Sequence, residues 1–184
     1  MQRRKAKRLG LAGLAVLIAA AVAVPAVAQP SASARVKLST IGGADFKPNR
    51  FIRDTMRYNK DTVRARQGDR LVLRDKTKQP HTLSVVRKGQ LPRKMRQIDG
   101  CFEGGPCGEL FVKHGAVNPD TGEEQDPTTP VVNEGREGLN QPGDSILIPP
   151  GGRTSIQISG ARDMYYLCAV HPWMQGKIDV RRAG

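Results

Sequence analysis

Near the carboxyl terminus, residues 166–180 read YLCAVHPWMQGKIDV. In this stretch Cys168, His171 and Met174 are spaced three residues apart, between two strand-like segments. A loop between strands can curl so that three such side chains point at one place, and Pro172 stiffens it. Thiolate and imidazole are good copper ligands, and a thioether is a soft ligand that suits the same metal. The residue types and their spacing therefore predict a metal site on this loop.

One more imidazole would complete a copper site. The chain has three histidines, so the second imidazole is either His81 or His114. His81 follows a proline at the start of a β-rich segment, and we take it as the fourth ligand. His114 lies in an irregular region, where we expect a structural or exposed role. Two His and one Cys in a trigonal arrangement with a long axial Met form the type 1, or blue, copper site. The prediction is one type 1 copper ion held by His81, Cys168, His171 and Met174.

Two other kinds of site use similar residues. A Cys with two His could bind zinc, but zinc gains nothing from Met174. Cys168 and a histidine could be a nucleophile and its base, yet no third group that would orient the base is evident nearby. The copper interpretation is the one that uses all of these residues.

The amino terminus has the three-part layout of a secretory signal peptide. Residues 1–8 carry five basic side chains and no acid, residues 9–28 are apolar and Ala-rich, and they end in a small-x-small cleavage pattern. The apolar run is also long enough for an uncleaved membrane anchor, which needs about 20 residues. We expect a signal peptide, or an N-terminal anchor, over 1–28 and a linker over 29–34. The protein is then exported, and is periplasmic, extracellular or at the cell surface.

The cysteine count points to a special role for one thiol. The chain has three cysteines, and an odd number in an exported protein needs an explanation. Cys101 and Cys107 flank a Gly- and Pro-containing segment that can turn back sharply, so we expect them to form a disulfide. Cys168 is left over, and a lone thiol outside the cytoplasm is prone to oxidation unless something occupies it. A bound metal would protect it.

The charge balance limits the classes of partner. The full chain has a formal net charge of +13, and removal of residues 1–28 leaves about +8. A basic protein can bind nucleic acid, an anionic membrane or an acidic protein. Export and an aromatic content of 4% argue against nucleic acid. We expect a solubilising surface first and an acidic redox partner second, with membrane contact only through residues 1–28.

From residue 35 onward the sequence is typical of β-strands. Apolar and polar residues alternate, for example in residues 63–66, which read VRAR. Over residues 87–141 this pattern stops, and only residues 109–113 indicate a further strand. Because this region is too long for a passive loop, we interpret it as a functional insertion or a mobile lid. The remainder of 35–184 predicts an all-β sandwich or barrel.

Residues 166–180 resemble the C-terminal motif of the cupredoxins, the family of small blue copper proteins. Their short Cys-x-x-His-Pro-aromatic-Met loop is most similar to those of amicyanin and plastocyanin. Residues 63–86 are similar to the segment that carries the first ligand of the family, and residues 143–151 resemble the strand and turn before the final ligands. The insertion at about 87–141 departs from the compact members, which are much shorter there.

The resemblance implies a Greek-key β-sandwich of about eight strands that binds one copper ion. It also implies a monomer that carries single electrons between redox protein partners outside the cytoplasm. In the family the C-terminal histidine lies in an apolar surface patch and passes the electron, which indicates His171 with Pro172 and Trp173 here. The alternative is copper handling, sensing or delivery. Multicopper enzymes of this fold need further His-rich copper sites, which three histidines cannot supply, so we expect no enzyme activity.

Overall fold

The computed structural model describes residues 32–118 and 120–182. The predicted signal peptide over 1–28 and the first half of the predicted linker lie outside these residues. Within them, no helix is long and apolar enough to cross a membrane.

The described part of the chain contains twelve strands, two α-helices and one short 3-10 turn. The strands are β1 Arg35–Ile41, β2 Ala44–Lys47, β3 Phe51–Asp54, β4 Arg57–Tyr58, β5 Thr62–Arg66, β6 Arg70–Asp75, β7 His81–Val86, β8 Val131–Val132, β9 Ser145–Ile148, β10 Arg153–Gln157, β11 Met164–Leu167 and β12 Gln175–Arg181. The helices are α1 Met95–Phe102 and α2 Pro106–Lys113, and the 3-10 turn is Lys88–Gln90. The number of strands exceeds the expected eight because it includes the small hairpin β2–β3 and two strands of two residues, β4 and β8.

Two sheets face each other and confirm the predicted Greek-key β-sandwich. One has the strand order β10-β6-β1-β4, and the other has the order β5-β12-β11-β7-β9-β8. The order is not sequential, since the chain crosses repeatedly between the sheets; β1 pairs in parallel with β6, and β5 pairs in parallel with β12. Side chains from both sheets form the main core, among them Leu38, Leu71, Leu73, Leu83, Val85, Tyr166 and Ile178.

Alternation along the strands explains which face is buried. In β5 the side chains of Val63 and Ala65 are buried, and those of the intervening arginines are exposed. Strand β7 differs because all six of its residues are buried. It lies between β11 and β9, its Leu83 and Val85 enter the main core, and its opposite face is covered by the insertion.

The insertion at 87–141 forms a second, smaller core on the outer face of the six-stranded sheet. Val86 and Leu167 from the sheet pack there with Cys101, Cys107 and Leu110 from the two helices. Cys101 and Cys107 are joined by a disulfide with their Cα atoms 5.0 Å apart. The insertion is thus a packed layer that shields one face of β7 and β11.

The prediction of a strand over residues 109–113 is wrong, because these residues belong to α2. Pro106 occupies the first turn of that helix, where its missing N–H costs nothing. A strand would place Leu110 and Val112 on one face, but Leu110 is buried and Val112 is 50% exposed. Cys107 and Leu110, at helical spacing, are the two residues that α2 buries. Residues 109–113 therefore follow the apolar spacing of a helix and not that of a strand.

Candidate metal centre

Strand register brings the predicted ligands to one edge of the six-stranded sheet. His81 is the first residue of β7, and Cys168 directly follows β11. The two strands are antiparallel neighbours, with Leu167 opposite Ser84, so the start of β7 lies beside the end of β11. The loop 168–174 then connects β11 to its other neighbour, β12. One histidine from β7 therefore meets the two ligands that the loop supplies.

His81, Cys168 and His171 form a compact, buried triangle of metal-binding atoms. The Nδ1 atoms of His81 and His171 are 3.1 Å apart, and the Cys168 Sγ atom is 3.7 Å from the first and 3.9 Å from the second. Metal bonds of about 2.0–2.3 Å at trigonal angles would separate such atoms by roughly 3.5–3.8 Å. His81 and Cys168 are fully buried and His171 is 7% exposed. The donor set and its size fit a single metal ion.

Met174 closes the loop on which Cys168 and His171 lie. Its N–H donates to the carbonyl oxygen of His171 at 2.8 Å, and its own carbonyl oxygen accepts from the N–H of Cys168 at 2.9 Å. The Met174 side chain is 1% exposed and belongs to the same core cluster as Cys168. These two backbone hydrogen bonds hold the loop in one compact conformation.

Burial sets the protonation states of the three donor residues. Burial, with a smaller contribution from the neighbouring His171, lowers the pKa of His81 to about 4, although Asp75 and Asp54 oppose the change. Burial also lowers the pKa of His171. The same cause raises the pKa of the Cys168 thiol, although hydrogen bonds from Thr82 and the loop backbone oppose it. Both imidazoles are thus neutral near pH 7, as a metal ligand must be.

Asp75 and Thr77 fix which ring nitrogen of His81 faces the other ligands. The Thr77 hydroxyl donates its proton to Asp75 Oδ1 at 2.8 Å. Its oxygen therefore accepts a hydrogen bond from the N–H at His81 Nε2, which lies 2.6 Å away. Nδ1 then carries the lone pair that points toward Cys168 and His171. Burial would raise the pKa of Asp75, but hydrogen bonds from Thr40, Gly151 and Thr77 outweigh it and hold this pKa well below its usual range.

Thr82 contacts Cys168 and the residue after it. Its backbone N–H donates to the Cys168 Sγ atom at 3.3 Å, and its hydroxyl accepts from the N–H of Ala169 at 2.8 Å. A hydrogen bond to sulfur stabilises the thiolate and reduces the charge that it offers to a metal. Sequence reasoning missed Thr82, as it missed Asp75 and Thr77; the only local signal was the Asp-x-Thr pattern of a turn before Pro80.

Of the remaining predicted residues, Pro172 and Trp173 lie beside this centre and His114 does not. Trp173 is 40% exposed and lies edge-on to the His171 ring, with centroids 5.3 Å apart, whereas Pro172 is buried. His114 is separate from the cluster; it is 1% exposed, so it has the structural position expected of it and is not exposed. The helices lie beside the loop, and a cavity of about 440 Å³ separates Val170 from Phe102 and Phe111.

No family model matches the sequence, and no curated protein is significantly similar to it. Solved structures with a similar fold include auracyanin A from Chloroflexus aurantiacus, at 15% identity and a TM-score of 0.38 over 79% of this chain and 98% of that one. A purple cupredoxin from Nitrosopumilus maritimus has 11% identity and a TM-score of 0.38 over 80% and 99%. A multicopper oxidase has 14% identity and a TM-score of 0.36 over 83% of this chain, which spans only 40% of the oxidase. Likeness at this level says nothing about function, for which the site itself is the basis.

Proposed function

We propose that the protein is a type 1 copper protein that carries single electrons between redox partners outside the cytoplasm. The observation that carries the proposal is the convergence of two buried imidazoles and one buried thiol, from distant parts of the chain, within 4.8 Å of one another. His81, Cys168, His171 and Met174 would hold the ion. Copper bound to this donor set would supply one-electron chemistry between Cu(I) and Cu(II).

The residues around the ligands support electron transfer through their rigidity. Asp75 and Thr77 orient His81, and the backbone of Met174 closes the loop. Thr82 contacts both the Cys168 sulfur and the N–H of Ala169. A ligand set that is held in place before metal binding needs little rearrangement when the charge of the metal changes. Burial of the cluster also excludes water, and solvent access is one of the properties that control a redox potential.

His171 and Trp173 form the proposed route for the electron. His171 is the only one of the three clustered donors with measurable exposure, at 7%, and the Trp173 ring beside it is 40% exposed. A partner that docks on Trp173 therefore comes within one side chain of the metal. The basic charge of the chain favours partners with an acidic surface. We also propose that the protein acts as an exported monomer without enzyme activity, since two of its three histidines are used by one site.

Copper handling or delivery is the alternative use of the same site. The buried ligands and the closed loop favour retention of the metal, because release would require opening of two backbone hydrogen bonds and exposure of the cluster. A carrier should show fast, reversible reduction and no loss of copper to a chelator. Slow reduction together with rapid transfer of copper to an acceptor would instead favour delivery.

The visible spectrum after addition of Cu(II) to the purified protein tests the copper site. A type 1 site should give an intense thiolate-to-copper charge-transfer band in the red, and Cys168→Ser should abolish it. Met174→Leu should keep the colour but shift the band and raise the potential, because the axial ligand tunes both. Met164→Leu is the matched control, since Met164 is also a core methionine, with 5% exposure, and it should leave the spectrum unchanged. A colourless protein that binds zinc would overturn the proposal.

A further inference from the structure

A chain of hydrogen bonds runs from the insertion to the metal loop through the interior of the six-stranded sheet. It begins at His114, which caps the end of α2, and passes through Ser145 in β9 and Ser84 in β7 to Thr82. The Nε2 atom of His114 is 2.7 Å from the Ser145 hydroxyl, which is 2.7 Å from that of Ser84. The Ser84 hydroxyl is 2.8 Å from that of Thr82. All four residues are at most 1% exposed.

The contact of His114 with Thr129 fixes the direction in which the hydroxyls of this chain donate. The Nδ1 atom of His114 lies 2.6 Å from the carbonyl oxygen of Thr129, and a carbonyl can only accept, so Nδ1 carries the proton. In the neutral ring Nε2 then accepts, which obliges Ser145 to donate to it. Ser84 must donate to Ser145 and Thr82 must donate to Ser84, since each hydroxyl has one proton. Thr82 thereby gives its one proton to Ser84, and its oxygen accepts from the N–H of Ala169 at 2.8 Å.

The pairing of β7 with β9 places these hydroxyls in line. Ser84 and Ser145 are direct partners in that ladder, and Thr82 lies two residues before Ser84, on the same face of β7. Three hydroxyls in an otherwise apolar sheet are costly unless each is paired, and every buried polar side-chain atom in the described residues has a partner. The insertion supplies the last acceptor, because His114 is the residue on which the chain of donors ends.

We infer that His114 is a positioning residue for the metal loop, and that the insertion acts on the metal centre through the chain Ser145–Ser84–Thr82. This inference rests on the proposed function for its effect on copper. Thr82 is the contact point, since its backbone holds the Cys168 sulfur and its hydroxyl holds Ala169. With the acceptor at position 114 removed, the three hydroxyls are no longer held to one donor direction. The contacts of Thr82 with the Cys168 sulfur and with the Ala169 N–H then loosen.

Amide hydrogen exchange in the metal-free protein tests the chain without copper. His114→Phe keeps a ring but removes the acceptor, and Ser145→Ala breaks the chain with a smaller change if the first variant fails to fold. Both should speed exchange of the Ala169 amide by about tenfold, which corresponds to about 1.4 kcal/mol and lies within the usual cost of losing a buried partner. His114→Gln, which restores a carbonyl acceptor, should return the rate toward that of the wild-type protein. Val63→Ala is the control, because Val63 is buried in β5, which is separated from β7 by two other strands of the sheet.

The copper form gives the second readout. The acceptor-free variants should keep the blue colour but shift the charge-transfer band and the midpoint potential, and a further Ser84→Ala change should add little because the same chain is already broken. Val63→Ala should leave the potential unchanged. If His114→Phe and Ser145→Ala match Val63→Ala in both exchange at Ala169 and potential, the inference is wrong. A wild-type protein without a blue band would contradict the proposed function, while the metal-free exchange rates would still decide on the chain.

Discussion

At the scale of single residues, the metal centre depends on groups that do not themselves bind metal. Asp75 receives hydrogen bonds from the hydroxyls of Thr40 and Thr77 and from the backbone N–H of Gly151. It thereby fixes Thr77, and Thr77 fixes the His81 ring. These hydrogen bonds present the Nδ1 atom of His81 to the ligand cluster, whereas a histidine ring without such partners could present either nitrogen.

Thr77→Val should weaken copper binding without removing any ligand. The substitution keeps the shape of the side chain but deletes the oxygen that accepts from His81 Nε2, so the ring loses its orientation. Loss of such an outer partner typically lowers metal affinity about 10–100-fold. Competition with a copper chelator measures the change, and Thr62→Val, at an exposed position in β5, serves as the control. Equal affinities for both variants would show that Thr77 does not support the site.

The three clustered donor residues and Met174 were predictable from the sequence because thiol, imidazole and thioether at short spacing have few other uses. Asp75, Thr77 and Thr82 were not, because aspartate and threonine are common and their roles depend on residues distant in sequence. Thr82, for example, contacts Cys168 across 86 positions. The assignment of His81 as the second imidazole remains a prediction of ligation, although the structure places His81 beside Cys168 and His114 away from it.

The metal-free protein should become less stable as the pH is lowered, and part of this loss should depend on His114. Burial lowers the pKa of His114 from its ordinary 6.5, against a smaller opposing effect of the Thr129 hydrogen bond. The unfolded chain therefore takes up a proton on this residue at a higher pH than the folded chain does. The free energy of unfolding is lost as pH falls below about 6.5, by up to about 1.4 kcal/mol per pH unit.

Urea unfolding at several pH values between about 7.5 and 5.5 measures this effect. His114→Gln should show a shallower loss of stability over that range, because the other titrating groups contribute equally to both proteins. Parallel pH profiles for the wild-type protein and the variant would contradict the assignment.

At the scale of secondary-structure elements, the insertion is a structural layer. Helices α1 and α2 bury Cys101, Cys107 and Leu110 against Val86 and Leu167. The sequence indicated an insertion but not its helices, because α2 is only eight residues long and its apolar residues fit a strand equally well at that length. The disulfide pairing, in contrast, could be predicted from the closeness of Cys101 and Cys107 in the sequence and from the expected export of the chain.

Replacement of Cys101 and Cys107 by alanine should destabilise the protein but leave the metal ligands in place. The disulfide closes a loop with a sequence separation of 6, for which the loss of loop entropy in the unfolded chain corresponds to about 2 kcal/mol. Chemical denaturation should show that loss in the double variant, and reduction of the wild-type protein should reproduce it. The blue band should persist, since Cys168 is the only cysteine at the cluster. Bleaching by the double substitution would mean that the disulfide shapes the site.

At the scale of the whole molecule, the sandwich separates a metal end from a strongly basic face. Alternation in the sequence was enough to predict two packed sheets, but not the parallel pairings β1–β6 and β5–β12, which join strands far apart along the chain. One result of the β1–β6 register is that Arg35 lies directly opposite Arg70, and Arg153 of β10 lies opposite Arg74. Like charges in such positions destabilise a sheet, and none of the four forms an ion pair within the described residues.

This separation predicts different roles for Trp173 and for the basic face in electron transfer to an acidic partner. Trp173→Ala removes the exposed ring beside His171, and it should slow the reaction at every salt concentration because it lengthens the electron path. Arg70→Gln with Arg153→Gln should change little at high salt, but it should flatten the fall of the rate constant as ionic strength rises. The reason is that the two arginines attract an acidic partner through a long-range electrostatic field. The screening length of that field falls from about 30 Å at 0.01 M salt to about 8 Å at 0.15 M.

Stopped-flow reduction by an acidic redox protein over that salt range measures both effects, and each variant is the control for the other. A partner that docks on the outer face of the four-stranded sheet would give the opposite result. In that case the double arginine variant would lose rate even at high salt, and Trp173→Ala would react like the wild-type protein, so the electron would leave the metal by a route other than His171.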